Sequence, residues 1–261
     1  MYIPSHLEVT DLDKQVSVIK QYPLGVLFNY NSAKTGLLDY FKSGKPPSGT
    51  DRVDSVMCAT HVPFHYVEDP EGKTKGKLIA HLAGQNQHIA MLEENANCLV
   101  VFQSVDSYVS PEWYPLKKKT HKFVPTWDFA CVHVYGRAKI IHDDEEWLLG
   151  MLNSITDQEE KKRPDTTTVS EKDEDHSGEK GEVPIHRWKV EEAEKRYLSQ
   201  AMKNIVGLEI EIDHVQSKFK FHQDQPPVNV NGVLDGYAKE LDPKKAQELE
   251  KFTRQQYPRE L

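Results

Sequence analysis

From residue 129 to 140 the even positions read Ala130, Val132, Val134, Gly136, Ala138 and Ile140, all small or apolar. The odd positions read Phe129, Cys131, His133, Tyr135, Arg137 and Lys139. A period of two is the mark of a half-buried strand, with one face toward a core and the other toward a ligand, a partner or water. A second long strand pattern covers 205–221. Val206, Leu208, Ile210 and Ile212 make its apolar face; Glu209, Glu211 and Asp213 make its wet face. The parity then inverts, because Val215, Phe219 and Phe221 are odd. A regular strand cannot swap faces, so a bulge or bend is expected near 213–217.

Shorter strand patterns fall at 25–30, 56–67, 77–83 and 98–102, and the turn signal Asp69-Pro70-Glu71-Gly72 joins two of them as a hairpin. Helices are expected from a cap at Thr10 or Asp11 to before Pro23, over 86–92, from Asp143 or Asp144 to about 155, and over 191–203. The fold class is therefore mainly β with peripheral helices. The segment 31–52, with its Pro46-Pro47 pair, reads as an irregular insertion. In 157–182 Val169 is the only large aliphatic or aromatic side chain, so 157–184 is expected to be a disordered acidic insertion. Residues 1–235 are expected as a single domain, and 236–261 as a charged, peripheral helix and tail.

The 261 residues carry a formal net charge of −8, which disfavours a direct grip on the DNA backbone. The cysteines, Cys58, Cys98 and Cys131, are odd in number and sit in apolar strand patterns, as expected of free thiols in a reducing compartment. No apolar run has the length of a membrane span. The expectation is a cytoplasmic protein, the nucleus being possible, without a membrane partner.

A series of blocks in order carries a resemblance: MYIPSH at the start, ATHVPF at 59–64, HLAGQN at 81–86, YVSPEWY with VPTWDF and VHVYG across 108–136, IVGLEIEI at 205–212 and KFKFHQ at 218–223. Over residues 1–235 the chain resembles the PaiB family of FMN-binding negative transcriptional regulators. The resemblance implies the FMN-binding split β-barrel shared with pyridoxamine phosphate oxidases. It also implies a homodimer, a flavin between the subunits, and a regulatory or flavin-redox role. The chain departs from the family pattern at Gly84 and Gln85 (an Arg there), at Ser217 (a Gly), at Asp128 (an Asn) and at His222 (a Ser). An anion such as Asp128 near a flavin phosphate is unfavourable unless paired.

FMN needs cations and hydroxyl or N–H donors for its phosphate and a flat slot for its ring. Lys117, Lys218 and Lys220 are candidate cations, with Thr60, Ser110 and Thr126 as hydroxyls. Trp113, Tyr114, Trp127 and the backbone around Thr60, His61 and Val62 are candidates for the ring, and Gln223 belongs to the matching KFKFHQ block. The lysines equally fit a solvated loop and an edge-strand gatekeeper, and the tryptophans equally fit core or interface packing. His61, His81 and His133 lie on non-core faces of expected strands. They are candidates for orienting a flavin or substrate, His61 and His133 for any proton transfer, and all three as the axial ligand should the planar ligand be haem. His61 and His65 stand about 13 Å apart on one strand face, too far to share a metal ion. A cofactor-free protein-interaction dimer is the remaining alternative. No metal site, nucleophile elbow or Gly-rich phosphate loop is expected.

Overall fold

A computed structural model of the protein describes residues 1–30, 57–168 and 182–259. The insertion expected at 31–52 lies outside the described residues. The alternating segments form strands β1 (Leu24–Tyr30), β2 (Met57–Pro63), β3 (His65–Val67), β4 (Lys77–Ala83), β5 (Asn97–Gln103), β7 (Thr126–Ile141) and β10 (Ile205–Lys220). They pair antiparallel in the order β2-β1-β5-β7-β10-β4-β3, and β6 (Ser107–Val109) pairs with the start of β7. The two ends of this order, β2 and β3, are consecutive in the chain and separated only by Phe64. One stretch of chain thus serves both sheet edges, which obliges the sheet to curl on itself and protects its edges. Phe64 is fully buried at this junction, and its ring meets Phe102 edge-on at 5.7 Å.

The central pair, β7 and β10, runs in register from Gly207 opposite Ile141 to Lys220 opposite Phe129, with one slip between Ile212 and His214. Asp213 is the extra residue. The parity inversion in the sequence is therefore a β-bulge, and both apolar runs of β10 reach the same core: Leu208, Ile210 and Ile212 before it, Phe219 after it. Gly136 sits opposite Ile212, next to the slip, and a Cβ there would collide with the Glu211 carbonyl.

Helix α1 (Leu12–Gln21) is capped by the Asp11 carboxylate, which accepts from the amides of Asp13 and Lys14 at 3.0 and 3.2 Å. It buries Val16, Val18 and Ile19, and α2 (His88–Glu94) buries Ile89 and Leu92, in the same barrel core. A four-residue turn, α3 (Lys117–Thr120), precedes β7. Helices α4 (Glu145–Glu160) and α5 (Lys195–Met202) form a second cluster of Ile79, Leu148, Met151 and Met202 on the other face of β4. Gly207 leaves the space that the Trp147 ring fills. The helix expected over 191–203 is split: a 3-10 turn at Val190–Glu192 comes first, and α5 starts after a Glu194 cap.

Two expectations are corrected. The acidic stretch 157–184 is not disordered where it is described. Helix α4 continues to Glu160, and β8 (Thr166–Thr168) pairs with β9 (Glu182–Pro184). Local polar contacts substitute for the missing apolar burial: Lys161 pairs with Asp157, Lys162 with Glu159, Arg163 with Glu160, and Arg187 donates to the Glu160 carbonyl at 2.8 Å. The C-terminal region is not peripheral either. Helices α6 (Pro227–Glu240) and α7 (Pro243–Gln256) pack on the barrel, and Phe252 stacks on Phe221 at 5.1 Å. The apolar stripe of α7 is narrow (Ala246, Leu249, Phe252), and the lysines and glutamates around it mask it in the sequence.

Replacing the junction residue, Phe64→Ala, is expected to lower stability by about 3–5 kcal/mol, the range for a fully buried phenylalanine. A urea melt showing a loss under ~1 kcal/mol would mean that the β2–β3 junction does not hold the barrel closed.

Candidate functional site

Register fixes what the outer face of the sheet presents. His61 is opposite Val26, Val26 opposite Val101, Val101 opposite His133, and His133 opposite Gln216. The neighbouring row is Ala59, Phe28, Leu99, Tyr135 and His214. These rows run across β2-β1-β5-β7-β10 on the side away from the barrel core. At the edge of this face Leu24 is 60 % exposed, Met57 56 % and Tyr30 52 %.

The far end of the face carries the charge. Lys218 is opposite Cys131, and Lys220 is opposite Phe129. The Lys218 ammonium lies 6.0 Å from the Phe129 ring centre and 5.8 Å from that of Tyr2. The Lys220 Nζ donates to the Thr126 hydroxyl and, at 2.7 Å, to the Trp127 carbonyl. Burial pulls the Lys220 pKa below the ordinary lysine range, while Asp128 and Asp224 oppose that shift. Trp127 is exposed and meets Tyr108 edge-on at 6.1 Å. The bulge makes this cluster: without the inserted Asp213, positions 218 and 220 would point into the core.

Of the residues singled out in the sequence, Thr126, Trp127, Lys218 and Lys220 come together here. Tyr114 joins Thr126 and Lys220 in the wall of an adjoining cavity of about 280 Å³. The others lie elsewhere. Trp113 packs edge-on against Tyr237 and donates its indole N–H to Glu240 at 2.8 Å, over Gly232 and Gly236 of α6. Ser110 caps the Pro111–Trp113 turn, Lys117 pairs with Glu112, and Gln223 braces the end of β10 through the Phe219 carbonyl and the Phe221 amide. Thr60 points inward to the His88 Nδ1 at 2.8 Å, and Val62 is core. His61 and His133 share a row but stand three strands apart, about 14 Å. His81 is on β4 beside Gly207, on the face that α4 and α5 cover, so the three histidines do not converge. Among the described residues no three His, Cys, Asp or Glu side chains gather as metal ligands.

Sequence reasoning missed a buried polar group behind the lysine end. The Tyr237 hydroxyl donates to the Asp128 carboxylate, and the His222 Nε2 lies 2.9 Å from the same oxygen. Asp128 is fully buried, Tyr237 1 % exposed and His222 5 %. The His222–Asp128 approach is close but is not aligned as a hydrogen bond. The Tyr114 ring meets His222 at right angles and stacks on Phe123 at 4.9 Å. Burial, and then the Asp128 charge, push the hydroxyl pKa of both Tyr114 and Tyr237 above the usual range. His222 has φ 61, a left-handed backbone that costs on the order of 1 kcal/mol for a residue with a Cβ. A faint signal existed: Asp128 and His222 are two of the four departures from the PaiB pattern. Nothing in the sequence tied them to each other or to Tyr237.

The profile of the family described as "Putative FMN-binding domain" matches residues 1–214. The chain belongs to that family. An uncharacterised protein, YKL070W, of Saccharomyces cerevisiae is 53 % identical over 172 residues, 66 % of this chain and 98 % of that one. The protease synthase and sporulation protein PAI 2 of Bacillus subtilis is 23 % identical over 250 residues, 96 % of this chain and 95 % of that one. Among solved structures, the conserved hypothetical protein Rv2991 of Mycobacterium tuberculosis is 12 % identical, with a TM-score of 0.49 over 87 % of this chain and 94 % of that one. Family membership and the curled antiparallel order agree with the split barrel expected from the PaiB resemblance. No helix among the described residues is long and apolar enough to cross a membrane.

Two outcomes follow from the buried groups. Tyr237→Phe removes a donor from a buried carboxylate and is expected to cost about 1–3 kcal/mol in chemical denaturation. Burial lowers the pKa of His81, His88 and His133 below the ordinary 6.5. The unfolded chain therefore takes up protons first as the pH drops. The stabilisation is complete above pH 6.5 and is lost as the pH falls through the folded values, so urea midpoints should decline below pH 6.5. His88→Gln should flatten that decline.

Proposed function

We propose that the protein binds FMN in a crevice made when two copies of the chain meet through the outer faces of their sheets. The observation that carries this reading is the face itself: five strands wide, apolar over β1 and β5, and ending in Trp127, Lys218 and Lys220. An exposed apolar sheet face beside a cation cluster suits a partner and a planar anion together. Membership of the FMN-binding family supports the choice of flavin. Lys218 and Lys220 meet negative charge, and the exposed Trp127, braced edge-on by Tyr108, offers an aromatic surface. Bound FMN supplies redox chemistry; the chain supplies binding, orientation and exclusion of water.

Haem is the weaker reading, because His81 lies on the face packed by α4 and α5 and Val26 and Val101 stand between His61 and His133. A regulatory role is best sought in a metabolite signal or a protein contact, since a charge of −8 opposes a grip on DNA phosphates.

Light scattering should give twice the 30.0 kDa chain mass, and an FMN titration followed by flavin fluorescence should saturate. Val101→Glu puts a charge in the middle of the face and should yield a folded monomer that no longer binds FMN. Lys218→Ala should keep the dimer and weaken FMN by about tenfold, the size of one charge-assisted contact. A monomeric wild-type protein, or undiminished FMN affinity in Val101→Glu, would remove the shared crevice.

A further inference from the structure

The cavity beside the lysine end has its own chemistry. Its wall includes His6, Lys122, Thr126, Lys220 and His222, with Asp224 at the exposed rim. At about 280 Å³ it has room for a tetrahedral oxyanion, but is small for a whole flavin. Lys220 uses two of its three N–H donors on Thr126 and the Trp127 carbonyl. Those two bonds hold the ammonium in place and leave one donor for a ligand.

His222 also lines this cavity. It is 5 % exposed and has its Nε2 turned to Asp128. No partner to its other ring nitrogen, Nδ1, is found among the described residues. Behind it, the Tyr237 hydroxyl and the Asp128 carboxylate form a buried backing for the ring. The left-handed backbone at 222 places this ring where the KFKFHQ segment leaves the sheet.

We propose that this cavity is a binding site for a phosphate group, held by Lys220, His222 and Thr126 with Lys122 at the mouth, and that Asp128 and Tyr237 position His222. The phosphate has two possible sources: the tail of a bound FMN, in which case the inference rests on the function proposed above, or a separate phosphorylated molecule. Free phosphate is a fair probe of the site in either case.

The test is calorimetric titration of the full chain with inorganic phosphate. Saturable binding is expected, weakened about tenfold by Lys220→Met and by His222→Asn, since each removes a polar group from the cavity wall. Asparagine tolerates the left-handed backbone, so the second variant preserves the fold. Lys122→Ala, an exposed substitution that leaves folding intact, should weaken phosphate about threefold, in line with a mobile surface charge. Tyr237→Phe should weaken phosphate without touching the cavity wall. Competition then separates the sources. Saturating phosphate displaces FMN but not riboflavin if the flavin tail occupies the cavity; it displaces neither if the phosphate belongs to another molecule. Failure of flavin binding alone would overturn the proposed function and leave this site standing. The absence of saturable phosphate binding, or equal affinity in wild type, Lys220→Met and Lys122→Ala, would overturn the site.

Discussion

The pairing of β7 with β10 is the constraint on which the rest depends. These two strands supply the middle of the sheet, the lysine end of the outer face and the wall of the cavity. A single inserted residue, Asp213, lets β10 keep an apolar inner face over its whole length while turning Lys218 and Lys220 outward. Side-chain direction in a strand has a period of two, so one extra residue reverses every later position. Gly136 opposite the slip removes the Cβ that would block it.

The buried Tyr237–Asp128–His222 group is the second organising feature. The Tyr237 hydroxyl donates a hydrogen bond to a carboxylate with no exposure, and removing that donor from a buried acceptor is expensive. Asp128 belongs to β7, His222 to the segment after β10, and Tyr237 to α6. The group therefore ties the C-terminal helices to the centre of the barrel. The Phe221–Phe252 stack adds an apolar tie nearby. This is why the charged C-terminal segment is integral to the fold, and why a chain ending at residue 235 would expose both ties.

The two sides of the sheet have different fates. The inner side is filled by barrel side chains with α1 and α2, and part of the outer side is covered by α4 and α5 against β4. The remaining outer face, over β2, β1, β5, β7 and part of β10, keeps half-exposed apolar rows. This uncovered face is the surface on which the proposed second copy would sit.

Alternation within single segments determined most of the strands, the hairpin at 69–72 and the bulge, because these depend only on neighbours in the chain. The Asp11 and Asp144 caps were legible for the same reason. The ordered blocks from MYIPSH to KFKFHQ carried the family. The grouping of Thr126, Trp127, Lys218 and Lys220 was half legible: the residues were named, but Lys117, Ser110, Trp113 and Gln223 were named with them and turn out to serve local structure. Side chains of the same type bind ligands or cap turns according to what lies across from them, and that is settled by strand register. The pairing of Asp128 with His222 and Tyr237, the separation of His61, His81 and His133, and the burial of α7 were decided only by tertiary structure. Each depends on contacts between residues far apart in the chain, and no local pattern encodes which distant side chain will fill a given space.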